Sequence, residues 1–103
     1  MDDNTVDPDE VLKPIRFTIE DRNLILDLYT LDPEFDGRFR LAVLKERDVI
    51  VNLNAYDLDQ LLGEIAAVAN HEKKVKLRRK LDDLFARVDK VLQKEFPRGD
   101  PLD

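Results

Sequence analysis

Hydrophobic and polar residues alternate with a period of two through the first half of the chain. This alternation is typical of β-strands that bury one face and expose the other. It occurs in four segments, at residues 15–20, 24–29, 39–45 and 49–53. Short polar segments separate the first strand from the second and the third from the fourth, and such turns join antiparallel neighbours. The pattern therefore predicts a four-stranded antiparallel β-meander.

A period near 3.6 replaces the alternation after Asn54. Asn54 is a favourable helix N-cap, and Asp57 lies three residues later, where a carboxylate meets the free N–H groups. A first apolar stripe then consists of Leu58, Leu61, Leu62, Ile65, Val68 and Ala69. Its phase breaks at residues 70–71, and a second stripe consists of Leu77, Leu81, Leu84, Val88 and Val91. The break predicts two helices, with one kinked helix over 57–96 as the alternative.

The expected fold is therefore an α+β domain over residues 15–96, a four-stranded antiparallel β-meander followed by two C-terminal helices (ββββαα). A chain of 103 residues is long enough for one such core. Residues 1–14 lack periodicity and are rich in aspartate, so we expect a disordered acidic arm. Residues 97–103 contain two prolines and a glycine, and we expect them to form a disordered tail.

Composition argues against most kinds of enzyme. The chain has no cysteine and no serine, and its single histidine, His71, is too few for a multi-histidine metal site within one chain. Its three glycines are too scattered for a phosphate-binding loop. We therefore expect a protein that is not an enzyme and that has no cofactor and no metal. The acidic N-terminus and the lack of an apolar run of ~20 residues predict a cytoplasmic location without a membrane contact.

One loop resembles the opening of a calcium-binding loop, D-x-D-x-D-G. The matching residues are Asp32, Glu34, Asp36 and Gly37. The twelfth position of such a loop supplies a bidentate acid, but Val43 stands there, and arginines occupy the seventh and ninth positions. A strand-to-strand turn is therefore the expected structure. A carboxylate-based enzyme centred on these acids is the weakest functional hypothesis.

A basic block, residues 73–80, contains six of the 17 basic residues of a chain whose net charge is −6. On a helix, pairs such as Glu72–Lys76 and Arg79–Asp83 lie four residues apart and stabilise a solvated surface. That surface is the favoured interpretation of the block. The alternatives are contact with the acidic arm, with an acidic partner or with a phosphate backbone. The negative net charge disfavours nucleic acid.

The predicted strands and the segment VIVNLNAYDLDQL, residues 49–61, resemble the β-β-β-β-α unit of the coactivator/Whirly group of single-stranded DNA-binding proteins. The resemblance covers about residues 15–69, but this chain lacks the basic, aromatic-rich strand face of that group. It implies that Arg16, Arg38 and Arg40 contact phosphates.

The sequence thus favours a small non-catalytic protein-interaction or regulatory module that forms a homodimer. The alternative is a single-stranded DNA- or RNA-binding protein. The residues expected to contact either partner are Arg16, Arg38, Arg40, Lys73, Lys76, Arg79 and Lys80. The second apolar stripe, Leu77, Leu81, Leu84, Val88 and Val91, is expected to pack in the core or against a second copy.

Overall fold

A computed structural model describes residues 7–29 and 31–97 and has an α+β fold. Its described elements are a short 3-10 helix (Pro8–Glu10), β1 (Lys13–Thr18), α1 (Ile19–Leu26), α2 (Pro33–Arg40), β2 (Val43–Lys45), β3 (Asp48–Leu53), α3 (Ala55–His71) and α4 (Val75–Glu95). These residues form a three-stranded antiparallel sheet and four α-helices, so the predicted four-stranded meander followed by two helices is wrong. Residues 1–6, 30 and 98–103 lie outside the description, including most of the predicted tail.

The predicted second strand is the helix α1, because its start is capped. The Thr18 side chain accepts a hydrogen bond of 3.0 Å from the Asp21 N–H, and acidic residues occupy the first turn. A threonine at the N-cap that is followed by acidic residues in the first turn indicates the start of a helix. The following residues are apolar at nearly every position, so they suit a helix as well as a strand. The helix buries Ile25, with Leu28 beyond its end also in the core.

Helix α2 occupies the predicted turn and the first two residues of the predicted third strand, whereas Val43–Lys45 of that strand form β2. Asp32 caps this helix by accepting a hydrogen bond of 2.8 Å from the Glu34 N–H, and Pro33 occupies its first position. Proline suits that position because its missing N–H has no helical partner there. Phe35 and Phe39 lie four residues apart on the helix, and both are buried. Helical spacing therefore replaces the predicted strand alternation at residues 39 and 40, while residues 43–45 form a strand.

β3 is the central strand of the sheet, with β1 antiparallel on one side and β2 antiparallel on the other. The core-facing side chains of the two longer strands are Ile15, Phe17, Val49, Val51 and Leu53. A two-residue turn joins β2 to β3, and Glu46 in that turn has a φ of 60°, which is in the left-handed region. On the opposite face of the sheet, Arg16, Ile50 and Val43 form one cross-strand row.

The two C-terminal helices are separate: α3 ends at His71 and α4 begins at Val75. The predicted cap of α3 is confirmed as a capping box. The Asn54 side chain accepts a 2.8 Å hydrogen bond from the Asp57 N–H, and the Asp57 carboxylate accepts a 3.0 Å bond from the Asn54 N–H. Among the described residues, no helix is long and apolar enough to span a membrane.

α4 lies alongside β1 and runs antiparallel to it. At one end, the Lys13 ammonium donates a hydrogen bond to the Glu95 carbonyl and lies 4.8 Å from the centre of the Phe96 ring. Toward the other end, Arg87 of α4 binds Asp21 at the start of α1, just after β1. The buried residues of α4, Leu81, Leu84, Val88 and Leu92, complete the core.

The burial of α2 generates a first prediction. Phe39 is fully buried and packs edge to face against Phe17, with 5.1 Å between ring centres, whereas Leu41 is 85% exposed. Phe39→Ala is expected to lower the free energy of unfolding by about 3–5 kcal/mol because it leaves a cavity. Leu41→Ala, the matched control, is expected to change it by less than about 0.5 kcal/mol. Urea unfolding followed by circular dichroism measures both. A strand that buries both residues would make the two losses similar.

Candidate functional site

An open groove of about 390 Å³ lies between β1 and α4, and we call it the β1–α4 groove. Four basic side chains line it, namely Arg16, Arg87, Lys90 and Lys94. The half-buried Val91 contributes apolar surface, and the almost fully buried Phe17 and Val88 also line the floor. Two carboxylates, Asp21 and Asp48, lie at its edges. The groove therefore combines an apolar floor with an excess of positive charge.

The sequence of α4 places its basic residues on the groove side. Arg87, Lys90 and Lys94 recur at intervals of three and four, which puts them on one face of a helix. Lys80 and Lys76 lie on the same face nearer the start of the helix, but Asp83 lies between Lys80 and Arg87 and interrupts the basic face. Only Arg87, Lys90 and Lys94 of these basic residues line the groove.

Arg87 and Asp21 form the best-defined ion pair of the groove. The Arg87 guanidinium donates two hydrogen bonds to the Asp21 carboxylate, at 2.5 Å to Oδ1 and 3.2 Å to Oδ2. Asp21 is 6% exposed, and the side chain of Arg87 is half-exposed. The hydrogen bond to Asp21 raises the pKa of Arg87 above its ordinary value. Because Asp21 also stands in the capped first turn of α1, this pair fixes α4 to the end of β1.

The remaining cations of the groove are accessible. Arg16 forms an ion pair of 2.9 Å with Asp48, but half of its side chain stays exposed. Lys90 and Lys94 are exposed, and within the described part of the chain neither has an ion-pair or hydrogen-bond partner. Solvated lysines of this kind bind an incoming anion without first breaking an existing pair.

The backbone of β1 also borders the groove. Among the described strands, β1 pairs only with β3, so its second edge is open. Pro14 faces Asn52 in the ladder and has no N–H to donate. Proline is accommodated where its backbone nitrogen points away from the neighbouring strand, and Arg16, two residues on, has the same orientation. The Arg16 N–H and C=O therefore lie on the open edge.

Of the three arginines predicted on the sheet, only Arg16 is there. Arg38 and Arg40 lie on α2 and are held by acids. Arg38 donates 2.7 Å hydrogen bonds to both Glu34 and Asp57, and Arg40 donates one of 2.5 Å to Asp36. The bond to Asp57 attaches α2 to the capping box of α3. The predicted phosphate-binding face of the sheet is thus not assembled, because two of its members belong to a helix.

The remaining predicted contact residues, Lys73, Lys76, Arg79 and Lys80, are exposed around the start of α4. Lys80 lies 3.8 Å from Glu20. Neither expected pair, Glu72–Lys76 or Arg79–Asp83, is among the ion pairs of the described residues, and the Glu72 carboxylate instead accepts a 2.9 Å hydrogen bond from the Lys74 N–H. The start of α4 has no side-chain cap and no acid in its first turn. Positive charge near that positive end of the helix dipole is unfavourable for the helix.

The apolar face of α4 is used inside the chain. Leu81, Leu84 and Val88 are buried in the core, whereas Leu77 and Val91 are half-buried beside it. The acids of the calcium-like loop also have structural roles: Asp32 caps α2, and Glu34 and Asp36 bind its arginines. No group of three potential metal ligands occurs in residues 7–29 and 31–97.

The described part of the acidic arm contacts α3 at the end remote from the basic block. The Tyr56 hydroxyl donates a 2.7 Å hydrogen bond to Asp7, close to the start of α3. This bond lowers the pKa of Asp7 and raises that of Tyr56. In addition, Lys13 and Pro14, which were assigned to the arm, belong to β1.

A second surface lies around β2. Leu12, Leu41, Ala42, Val43 and Ile50 border a shallow concavity of about 350 Å³, and we call them the β2 surface. Val43 is 66% exposed, and Leu44 on the other side of the strand is 62% exposed. A run of exposed apolar side chains on an edge strand is a common feature of association surfaces.

Sequence reasoning missed Lys90, Lys94 and Arg87, although their signal was present. Their spacing of three and four places them on one helix face, separated from Lys76 and Lys80 by Asp83. Comparison of the chain with protein-family models, with curated proteins and with solved structures found no match. The functional argument therefore depends on the residues and their geometry.

The Asp21–Arg87 pair generates a second prediction. Arg87→Ala leaves a buried carboxylate without its partner, and we expect the free energy of unfolding to fall by about 1–3 kcal/mol because the exposed half of Arg87 is screened by solvent. Asp21→Ala and the double variant complete a thermodynamic cycle, in which the two losses are expected not to add. Lys90→Ala serves as the control, with a change below about 0.5 kcal/mol. Additive losses would show that the pair does not stabilise the fold.

Proposed function

We propose that this chain is a non-catalytic protein-interaction module and that it binds an acidic segment of a partner protein in the β1–α4 groove. The observation that supports this proposal is the pairing of an apolar floor with four basic side chains. Two of these, Lys90 and Lys94, have no partner among the described residues. Charge complementarity selects an acidic partner, and the floor selects one that also has apolar side chains.

A protein segment suits the groove better than a nucleic acid does. Proteins that bind single strands stack bases on exposed aromatic rings. Phe17, the aromatic residue of the groove, is 5% exposed and offers no ring face. The net charge of −6 opposes a long phosphate backbone more than a short segment with a few carboxylates.

We also propose that two copies associate through the β2 surface, as the sequence led us to expect of a homodimer. β2 is an edge strand with exposed apolar residues on both faces, Leu44 on one and Val43 on the other. Antiparallel pairing of β2 with its symmetry mate would join two sheets across a two-fold axis. The β1–α4 groove lies at the other edge of the sheet and would stay accessible in that dimer.

Binding of an acidic peptide is the third prediction. A fluorescein-labelled heptapeptide of alternating glutamate and valine is titrated with protein at low salt, and its fluorescence anisotropy is measured. We expect saturable binding that weakens about fivefold or more in the double variant Lys90→Gln, Lys94→Gln. The matched control, Lys45→Gln with Arg47→Gln, removes the same charge from the hairpin between β2 and β3 and is expected to bind normally.

Two outcomes would contradict this proposal. Equal weakening in both double variants would show attraction by overall charge and not by the groove. Tighter binding of a single-stranded oligonucleotide, which displaces the peptide, would identify a nucleic-acid-binding protein instead. A heptapeptide of alternating lysine and valine should not bind, and it tests whether the valines alone cause binding.

Self-association through β2 is the fourth prediction. Light scattering is expected to give twice the monomer mass at high protein concentration, and the melting temperature is expected to rise with concentration. Val43→Lys should yield a folded monomer, since it places a charge on the β2 surface. Val75→Lys, which replaces an equally exposed valine at the start of α4, should remain dimeric. A wild-type protein that is monomeric over a hundredfold concentration range would contradict the dimer.

A further inference from the structure

We infer that the bound segment adds to the sheet as a β-strand, paired with the open edge of β1. This inference rests on the proposed function and specifies how the groove holds its partner. The sheet would then have four antiparallel strands, in the order partner, β1, β3, β2. Strand addition provides affinity through main-chain hydrogen bonds and specificity through alternate side chains.

The backbone of β1 presents the groups that such a strand requires. The sheet order places β1 at an edge, with β3 on one side and the groove on the other. Because the Pro14 nitrogen points away from β3, the Pro14 C=O points to the open edge as well. The Arg16 N–H and C=O, two residues further on, point the same way. They are one hydrogen-bond donor with an acceptor on each side, and the backbone of a short extended segment can pair with all three.

The width of the groove is fixed at both ends. Lys13 binds the Glu95 carbonyl at one end, and Asp21 binds Arg87 at the other. Along β1 and along α4, the residues that line the groove lie between these two attachments. α4 is thus held beside the strand edge as a wall, and the partner does not have to move it aside. Such preorganisation reduces the entropic cost of binding.

Side-chain alternation explains why one segment needs both acidic and apolar residues. Successive residues of an added strand point to opposite faces of the sheet. On β1, Phe17 faces the core side together with Val88 of α4, whereas Arg16 faces the outer side. An added strand therefore places one set of side chains over the apolar floor and the other beside Arg16. Glutamate alternating with valine satisfies both faces.

β2 is the less suitable edge for an acidic strand. It has three residues, and its neighbouring surface is the shallow concavity around Leu41 and Ala42. The concavity beside β1 has two lysines without a partner among the described residues, Lys90 and Lys94, whereas Arg38 beside β2 is held by Glu34 and Asp57.

Backbone methylation of the heptapeptide tests strand addition. One peptide carries N-methyl groups on its glutamate amides, and a second carries them on its valine amides, so that charge and side chains are the same. In an antiparallel added strand, the residue opposite Arg16 has its side chain on the same face of the sheet as Arg16, and that face takes the glutamates. The glutamate N–H groups therefore point toward β1. We expect methylated glutamate amides to weaken binding about tenfold or more and methylated valine amides to change it little.

The possible results distinguish a failure of strand addition from a failure of the proposed function. If the unmethylated peptide does not bind in the groove, the proposed function is wrong. If it binds but both methylated peptides bind equally well or equally poorly, strand addition is overturned while the proposed function stands. The reverse pattern, with loss confined to methylated valine amides, would overturn antiparallel pairing.

Discussion

The ion pair between Asp21 and Arg87 joins the first half of this chain to its last helix. It connects residues 66 positions apart, one in the first turn of α1 and the other in the middle of α4. Because the Thr18 side chain caps the same turn, the end of β1, the start of α1 and the side of α4 meet at one place. The carboxylate is buried and the guanidinium is half-exposed, so the contact stabilises the core and also borders the groove.

The same arrangement accounts for the character of the groove. α4 directs its buried residues, Leu81, Leu84, Val88 and Leu92, into the core and places Lys90 and Lys94 beside β1. A helix attached to a strand at both ends leaves a concavity of defined width between them. The start of α4 is less constrained, since it lacks a side-chain cap and carries several cations near its positive dipole end. The helix is thus stabilised by the packing of its middle and C-terminal turns against the core.

The sequence identified the elements whose signals are local and unambiguous. The capping box of Asn54 and Asp57 and the two apolar stripes of the C-terminal helices were readable from spacing alone. Thr18 and Asp32 are equally good caps, and attention to them would have predicted α1 and α2. Residues 24–28 are apolar at nearly every position, so their period could not distinguish helix from strand. The groove could not be predicted, because it depends on contacts between β1 and α4 that no local pattern encodes.

Pro14 also limits what the open edge of β1 can become. An edge strand with a full row of donors and acceptors is a template for unlimited stacking of copies into fibrils. Pro14 interrupts that row, and pairing two β1 edges would bring Arg16, Lys90 and Lys94 of each copy against the same cations of the other. Repulsion between like charges therefore protects the edge from polymerisation, while an acidic strand of a different protein meets no such barrier. The chain thus excludes its own copies from this edge by the same charges that would recruit a partner.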